Sequence, residues 1–266
     1  MKTRAILFSF LTALLVPLSL PAQEDEDERG QLLFIQVIDV MPEDVMAYEN
    51  AMSTVVKAAG AAQLSEGFKW SIWNDDFTYT LVFPIKEYAY FDTPDQWMKQ
   101  FEGTAGEAVL QEAFQAFSEV DMRVRSTEIV EHVEDWTYSP PTPVEGADYA
   151  HVHSFRIKPN QDEAFGEVIK DISAFFGDLD YPYALAGHRT HFGDSGLATF
   201  VIWHDDPGAY HGANNIDNLV EKKMMGDRWS ELMGRLAKTI LGSQHGDQEY
   251  KPELSYWPMP EGATNE

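Results

Sequence analysis

The sequence predicts an α+β fold built from one β-α-β-β-α-β unit written twice. Three observations carry this. Leu32–Val56 can be laid over Ala150–Ser173 at a spacing of 117 residues, with Pro42 on Pro159, Ala47 on Ala164, Tyr48 on Phe165, Met52 on Ile169 and Val55 on Ile172. Further on, Leu81–Phe83 falls on Phe200–Ile202 and Tyr138–Pro140 on Tyr256–Pro258, with one or two residues of drift. The order of elements between those anchors is the same in both copies.

Each copy begins with a strand, Leu32–Val40 and Tyr149–Ile157, and a proline follows each strand. Proline lacks the N–H that a helix start leaves unpaired, so it can open the next helix. In the first copy Val45, Tyr48, Met52, Val55 and Val56 recur at helical spacing; in the second Phe165, Val168, Ile169, Ile172 and Phe176 do. Two strands then meet at a turn: "FKWSIW" and "YTLVFPI" around "NDDFT", and "ALAGHRTHF" and "ATFVIW" around "GDSGL". A helical pair follows, Pro94–Phe101 with Ala105–Val120 and Asn214–Met225 with Asp227–Leu241. A last strand closes each copy, at Met122–His132 and, less distinctly, at Glu249–Tyr256.

The order β-α-β-β-α-β is that of a ferredoxin-like unit, whose sheet carries helices on one face only. Two such units can bury their bare faces against each other. In "VMPEDVMAYENAM" and "IKPNQDEAFGEVI" the chain resembles the dimeric α+β barrel superfamily, here as two tandem ferredoxin-like repeats forming an intramolecular barrel. That superfamily includes antibiotic-biosynthesis monooxygenase-like and NIPSNAP-like proteins and the haem-binding chlorite dismutase and Dyp-type peroxidase groups. The resemblance implies the fold; no member's catalytic residues match locally, so it implies no activity. The first repeat is placed at 31–140, a Pro-rich linker at 141–147, the second repeat at 148–258 and a tail at 259–266.

The first 22 residues read as a signal peptide: Lys2 and Arg4, an apolar run Ala5–Val16, and a cut after Ala22. The apolar run is shorter than the ~20 residues that span a membrane. An exported protein, periplasmic or extracellular, is therefore expected. With no cysteine in the chain, neither disulfides nor a lipidated cysteine can form. Residues 23–30 form an acidic leader. Without Lys2 and Arg4, 17 basic residues face 44 acidic ones, a formal charge of −27. Such a charge repels nucleic acid and anionic membranes. A small-molecule ligand is the expected partner, and a homo-oligomer is compatible with the sequence.

The candidate site comes from a difference between the copies. His151 and His153 stand where the first copy has Phe34 and Gln36, and His188 and His191 stand where it has Trp70 and Trp73. Alternate strand residues share a face, so His151 and His153 belong together. In a sheet of order 4-1-3-2 the edge that carries them also carries the end of the third strand, His204, and places His188, Asp205, Asp206 and His211 near it. Catalysis, as the cofactor-independent oxygenase or isomerase chemistry on an aromatic or apolar substrate that the resemblance allows, would use one of His151, His153 and His204 as base, with Arg189 stabilising an anion. His188, Trp203 and Phe155 would line the ligand pocket, to which the aromatic content of 13% lends itself. That reading requires the three imidazoles and Arg189 to meet on a cavity of several hundred Å³. A divalent metal held by His151, His153, His204 and Asp206 is an alternative. Haem is another, with Met224, Met225, Trp229 and Met233 on the helices and His211 near a helix start, although core packing is the better account of those Met and Trp side chains. An inert polar lining, with no cofactor, is the remaining reading.

Overall fold

The computed structural model describes residues 30–65, 68–92, 96–142, 147–194 and 196–258. The segment expected as a signal peptide, all of the expected acidic leader except Gly30, and the expected C-terminal tail lie outside the described residues, as does most of the expected linker. The chain divides into two compact units: unit 1 holds the chain up to Thr127 together with Lys251 onward, and unit 2 is Glu128–Tyr250. The repeats of the sequence and the compact units are thus cut at different places. The second half of the first repeat's last strand pairs within unit 2, and residues after Tyr250 pair within unit 1.

Unit 1 contains β1 (Leu32–Val40), β2 (Ser71–Asp75), β3 (Thr78–Ile85) and the first part of β4 (Met122–Tyr138). Antiparallel pairing of β3 with both β1 and β2 follows their alternating apolar residues. Beyond β2, Trp70 and Tyr256 exchange backbone hydrogen bonds at 3.1 and 3.0 Å, and their rings stack at 5.1 Å. One face is covered by α1 (Val45–Ala62) and α3 (Gly106–Phe117), with a short α2 (Gln96–Lys99) between them. A Cβ on Gly106 would lie 2.2 Å from the Ala58 carbonyl oxygen, so only glycine allows α1 and α3 to approach this closely. Tyr48, Ile72, Tyr79, Phe101 and Leu110 are buried in this core.

Unit 2 repeats the plan. Its strands are β5 (Tyr149–Ile157), β6 (Leu185–Phe192), β7 (Leu197–His204) and β8 (Ile240–Tyr250), hydrogen-bonded in the order β8-β5-β7-β6. This is the 4-1-3-2 order of a ferredoxin-like sheet, and the second part of β4 adds to it beside β6. Helices α4 (Asp162–Asp178) and α7 (Gly226–Thr239), with the shorter α5 (Pro207–His211) and α6 (Ile216–Lys222), complete the unit. Phe165, Phe175, Phe176, Phe200 and Trp136 form its aromatic core.

Two boundaries differ most from the sequence expectation. The last strand is Ile240–Tyr250, not Glu249–Tyr256, and the helix before it stops at Thr239. "GSQHGDQE" has no apolar alternation to mark it, because β8 is exposed along most of its length. Its backbone ladder with β5, from Tyr149↔Glu249 to Ile157↔Ile240, makes it a strand. The second is β4, which continues six residues beyond His132, to Tyr138, through its pairing with β6.

Among the described residues no helix is long and apolar enough to cross a membrane.

Candidate functional site

All eight histidines of the chain lie in unit 2. The sheet register sorts them. Residues directly opposite one another in an antiparallel pair point to the same side. On one face β5 therefore presents Tyr149, His151, His153 and Phe155, with His204, Ile202, Phe200 and Ala198 of β7 beside them. On the other flank, β8 presents Glu249, Asp247, His245 and Ser243 opposite the same four β5 residues. His151 thus sits between a buried aromatic strand and an exposed polar one.

The loop after β7 adds to this face. Pro207 opens α5, and the Asp206 carboxylate accepts a hydrogen bond from the Ala209 N–H at 3.1 Å. One turn later Tyr210 is buried against the sheet, with His211 beside it. The carboxylate of Asp247 accepts from both sides: His151 Nδ1 lies 2.6 Å from one oxygen, and His211 Nε2 lies 3.0 Å from the other. His151 is buried, whereas His211 and Asp247 are each about half exposed, at 46% and 49% of the side chain. One ligand atom from each of the three lies within 4.8 Å of the others. Burial pushes the Asp247 carboxyl up, but the His151 hydrogen bond and the His151 and His211 charges outweigh it and hold it below the usual range.

Other imidazoles surround this trio. The His151 ring centroid lies 4.5 Å from His153, 5.6 Å from His211 and 5.7 Å from His245, and His153 and His245 are 5.6 Å apart. Burial, reinforced by His151 and His245, pushes His153 down to about 4, so it is neutral at physiological pH. His204 is fully buried between Tyr210 (centroids 4.4 Å, parallel) and Tyr149 (5.8 Å). Neither of its ring nitrogens has a hydrogen-bond partner among the described residues. Burial pushes this imidazole down as well.

The sequence-predicted residues separate accordingly. His151, His153 and His204 share one face, as the strand alternation requires, and Phe155 lies parallel to His153 at 6.1 Å. Trp203 pairs with Ala150 and His188 with Thr199, which puts both on the opposite face. There His188 meets His132, with ring centroids 5.4 Å apart, and burial pushes it down to about 4. Arg189 does not join the imidazoles. It pairs with Ala198, four residues along β7 from Ile202 beside His151, about 13 Å at the rise of a strand. Its guanidinium lies 5.0 Å over the Trp136 ring, in a groove of about 390 Å³ that Glu163, Glu167 and Lys170 also line. Asp206 is engaged as a helix cap, and the carboxylate among the imidazoles is Asp247. The signal for it was "HGD": His245 and Asp247 are two apart, like His151 and His153, but on a strand with no apolar pattern.

Haem fits these residues poorly. It needs an axial ligand facing an apolar slot. The His151 group is mixed with carboxylates at a half-exposed edge, and His204 is enclosed by tyrosine rings. Met224 is 92% exposed, Trp229 stacks on Phe175 at 5.4 Å, and Met225 and Met233 pack against the core. These helix side chains are surface and packing residues.

No protein-family model and no curated protein matches the sequence. Solved structures do resemble it. A proposed monooxygenase from Fusobacterium nucleatum subsp. nucleatum matches with a TM-score of 0.55 at 12% identity, over 84% of this chain and 93% of that one. A proposed monooxygenase from Lactobacillus acidophilus matches at 0.52 and 8% identity, over 86% and 97%. An anthrone oxidase-like protein matches at 0.51 and 13%, over 84% and 92%. The fold is that of the ferredoxin-like dimeric α+β barrel proteins. At these identities the likeness fixes the fold alone.

Proposed function

We propose that this is an exported, small-molecule-binding protein of oxygenase type whose second unit holds a divalent transition metal on His151, His211 and Asp247. The observation that carries the reading is the convergence of those three ligand atoms within 4.8 Å of one another. With metal–ligand bonds of ~2.1 Å, neighbouring ligand atoms stand ~3.0 Å apart in octahedral and ~3.4 Å apart in tetrahedral geometry. The His211 contact to one Asp247 oxygen, 3.0 Å, matches the octahedral spacing, and the His151 contact to the other oxygen, 2.6 Å, must open, with the carboxylate binding through both oxygens or turning to present one. His211 and Asp247 are half exposed and free to make that adjustment. Two histidines and one carboxylate with open positions is the ligand pattern of non-haem iron(II) oxygenases, and it also suits zinc. The resemblance to proposed monooxygenases supports an oxidative reaction on an organic molecule, and Tyr149, Tyr210 and Phe155 give the face an aromatic character that suits such a ligand.

A cofactor-free reading rests on the 2.6 Å contact between His151 and Asp247, which would fix the imidazole as a proton acceptor. Calorimetric titration of the chelator-treated mature chain with Zn²⁺, in wild type and Asp247→Ala, separates the two. A saturable site lost in the variant supports the metal. Absence of binding in the wild type leaves the cofactor-free reading.

A further inference from the structure

Arg189 plays no part at the His151–His211–Asp247 trio, yet it has a defined setting of its own in unit 2. Its guanidinium lies 5.0 Å over the Trp136 ring and makes no ion pair among the described residues. Glu131, directly opposite Arg189 across β4 and β6, is engaged instead by His191 Nε2 at 2.7 Å. We infer that the groove of about 390 Å³ beside Arg189 binds a basic α-amino acid. The ligand carboxylate meets Arg189 and the Trp136 N–H, and its ammonium groups meet the carboxylates of α4. This site draws on unit 2 alone and does not depend on the metal reading.

Two donors make the carboxylate end. Trp136 is 3% exposed, and its Nε1–H has no acceptor among the described residues. A buried tryptophan usually gives this proton to a partner; here it opens on the groove, which Trp136 and Gly166 both line. A Cβ on residue 166 would lie 3.5 Å from Nε1, so glycine leaves the donor uncovered. Gly166 sits inside α4, where glycine costs helix stability relative to alanine, and access to the indole N–H gives it a reason to be there. The indole itself is seated by a second glycine, because a Cβ on Gly187 would meet the Trp136 Cβ at 2.4 Å. A guanidinium held on an aromatic face keeps its planar fork of N–H donors for a carboxylate.

The facing wall supplies the opposite charge. Glu163, Gly166, Glu167 and Lys170 recur at helical spacing, so they share one face of α4, and all four line the groove. Lys170 is neutralised by Asp135 at 2.9 Å. Asp162, Glu163 and Glu167 then stand against the single guanidinium of Arg189, which leaves the groove negative. A simple anion is repelled from such a field, whereas a ligand with one carboxylate and two ammonium groups matches both walls. The volume falls within the roughly 300–1,000 Å³ of small-molecule sites.

Calorimetric titration of residues 23–266 with L-lysine tests the assignment. Two analogues accompany it: the methyl ester, which lacks the carboxylate, and Nα-acetyl-L-lysine, which lacks the α-ammonium. Saturable binding of L-lysine is expected, weakened roughly tenfold to hundredfold by either blocking group, by Arg189→Gln and by Trp136→Phe. Gly166→Ala should weaken binding while raising the unfolding midpoint, an outcome that a folding defect would not give. No saturable binding of L-lysine to the wild type overturns the site, as does full affinity in Arg189→Gln. Methyl ester binding as tight as that of L-lysine overturns the carboxylate assignment and reduces the groove to a cation-attracting surface.

Discussion

Replacing His188 by Gln should make the protein markedly less sensitive to acid. His188 is 7% exposed, close to His132, and held down to about 4 chiefly by burial. In the unfolded chain it returns to its ordinary value near 6.5. Between those values the unfolded state binds a proton that the folded state refuses, so stability falls as pH falls. At ~1.4 kcal/mol per pH unit, the penalty is negligible above pH 7, ~2 kcal/mol at pH 5 and ~3 kcal/mol below pH 4. Gln carries no such proton and can still hydrogen-bond. Urea unfolding at pH 7 and pH 5 would measure the effect: the loss between the two pH values should be ~2 kcal/mol smaller in the variant. Parallel losses in wild type and variant would refute the burial argument for this residue.

Other positions give equally direct expectations. A Cβ on Gly187 would meet the Trp136 Cβ at 2.4 Å and Phe200 at 2.9 Å, so Gly187→Ala should cost ~1–3 kcal/mol by overpacking, read from the unfolding midpoint. Ile72 is fully buried in the core of unit 1, and Ile72→Ala should cost ~2–5 kcal/mol in the same assay. Asp247→Ala removes one of the three proposed ligands and should weaken Zn²⁺ binding by more than ~100-fold, since even loss of an outer-shell partner costs ~10–100-fold. Arg189→Ala, whose guanidinium lies over Trp136, should leave Zn²⁺ affinity unchanged by calorimetry.

The sequence disclosed the parts of this molecule that depend on apolar periodicity. The β5 limits Tyr149–Ile157 and the helix that follows come from where Val, Ile and Phe recur, and the 4-1-3-2 order is what the ferredoxin-like element order implies. The His151–His153 pairing was equally legible, because strand alternation alone puts the two side chains together. What escaped was the polar side of the same site. β8 contributes Asp247 and His245 but is exposed along most of its length, so nothing apolar marks its limits or its register. His211 was placed near the group from the sequence, but its contact with Asp247 depends on the turn set by Pro207 and Asp206, whose direction no periodicity encodes. Arg189 and His188 failed to join the group for one reason: grouping by strand end ignores which face a residue takes, and how far along the strand it stands.

The proposed metal centre is tested most directly by anomalous diffraction from crystals of residues 23–266 soaked in Zn²⁺, collected on both sides of the zinc edge. The predicted result is an anomalous peak ~2.0–2.2 Å from a ring nitrogen of His151, a ring nitrogen of His211 and a carboxylate oxygen of Asp247. A map with no peak there, or with zinc bound only at other surface carboxylates, would contradict it.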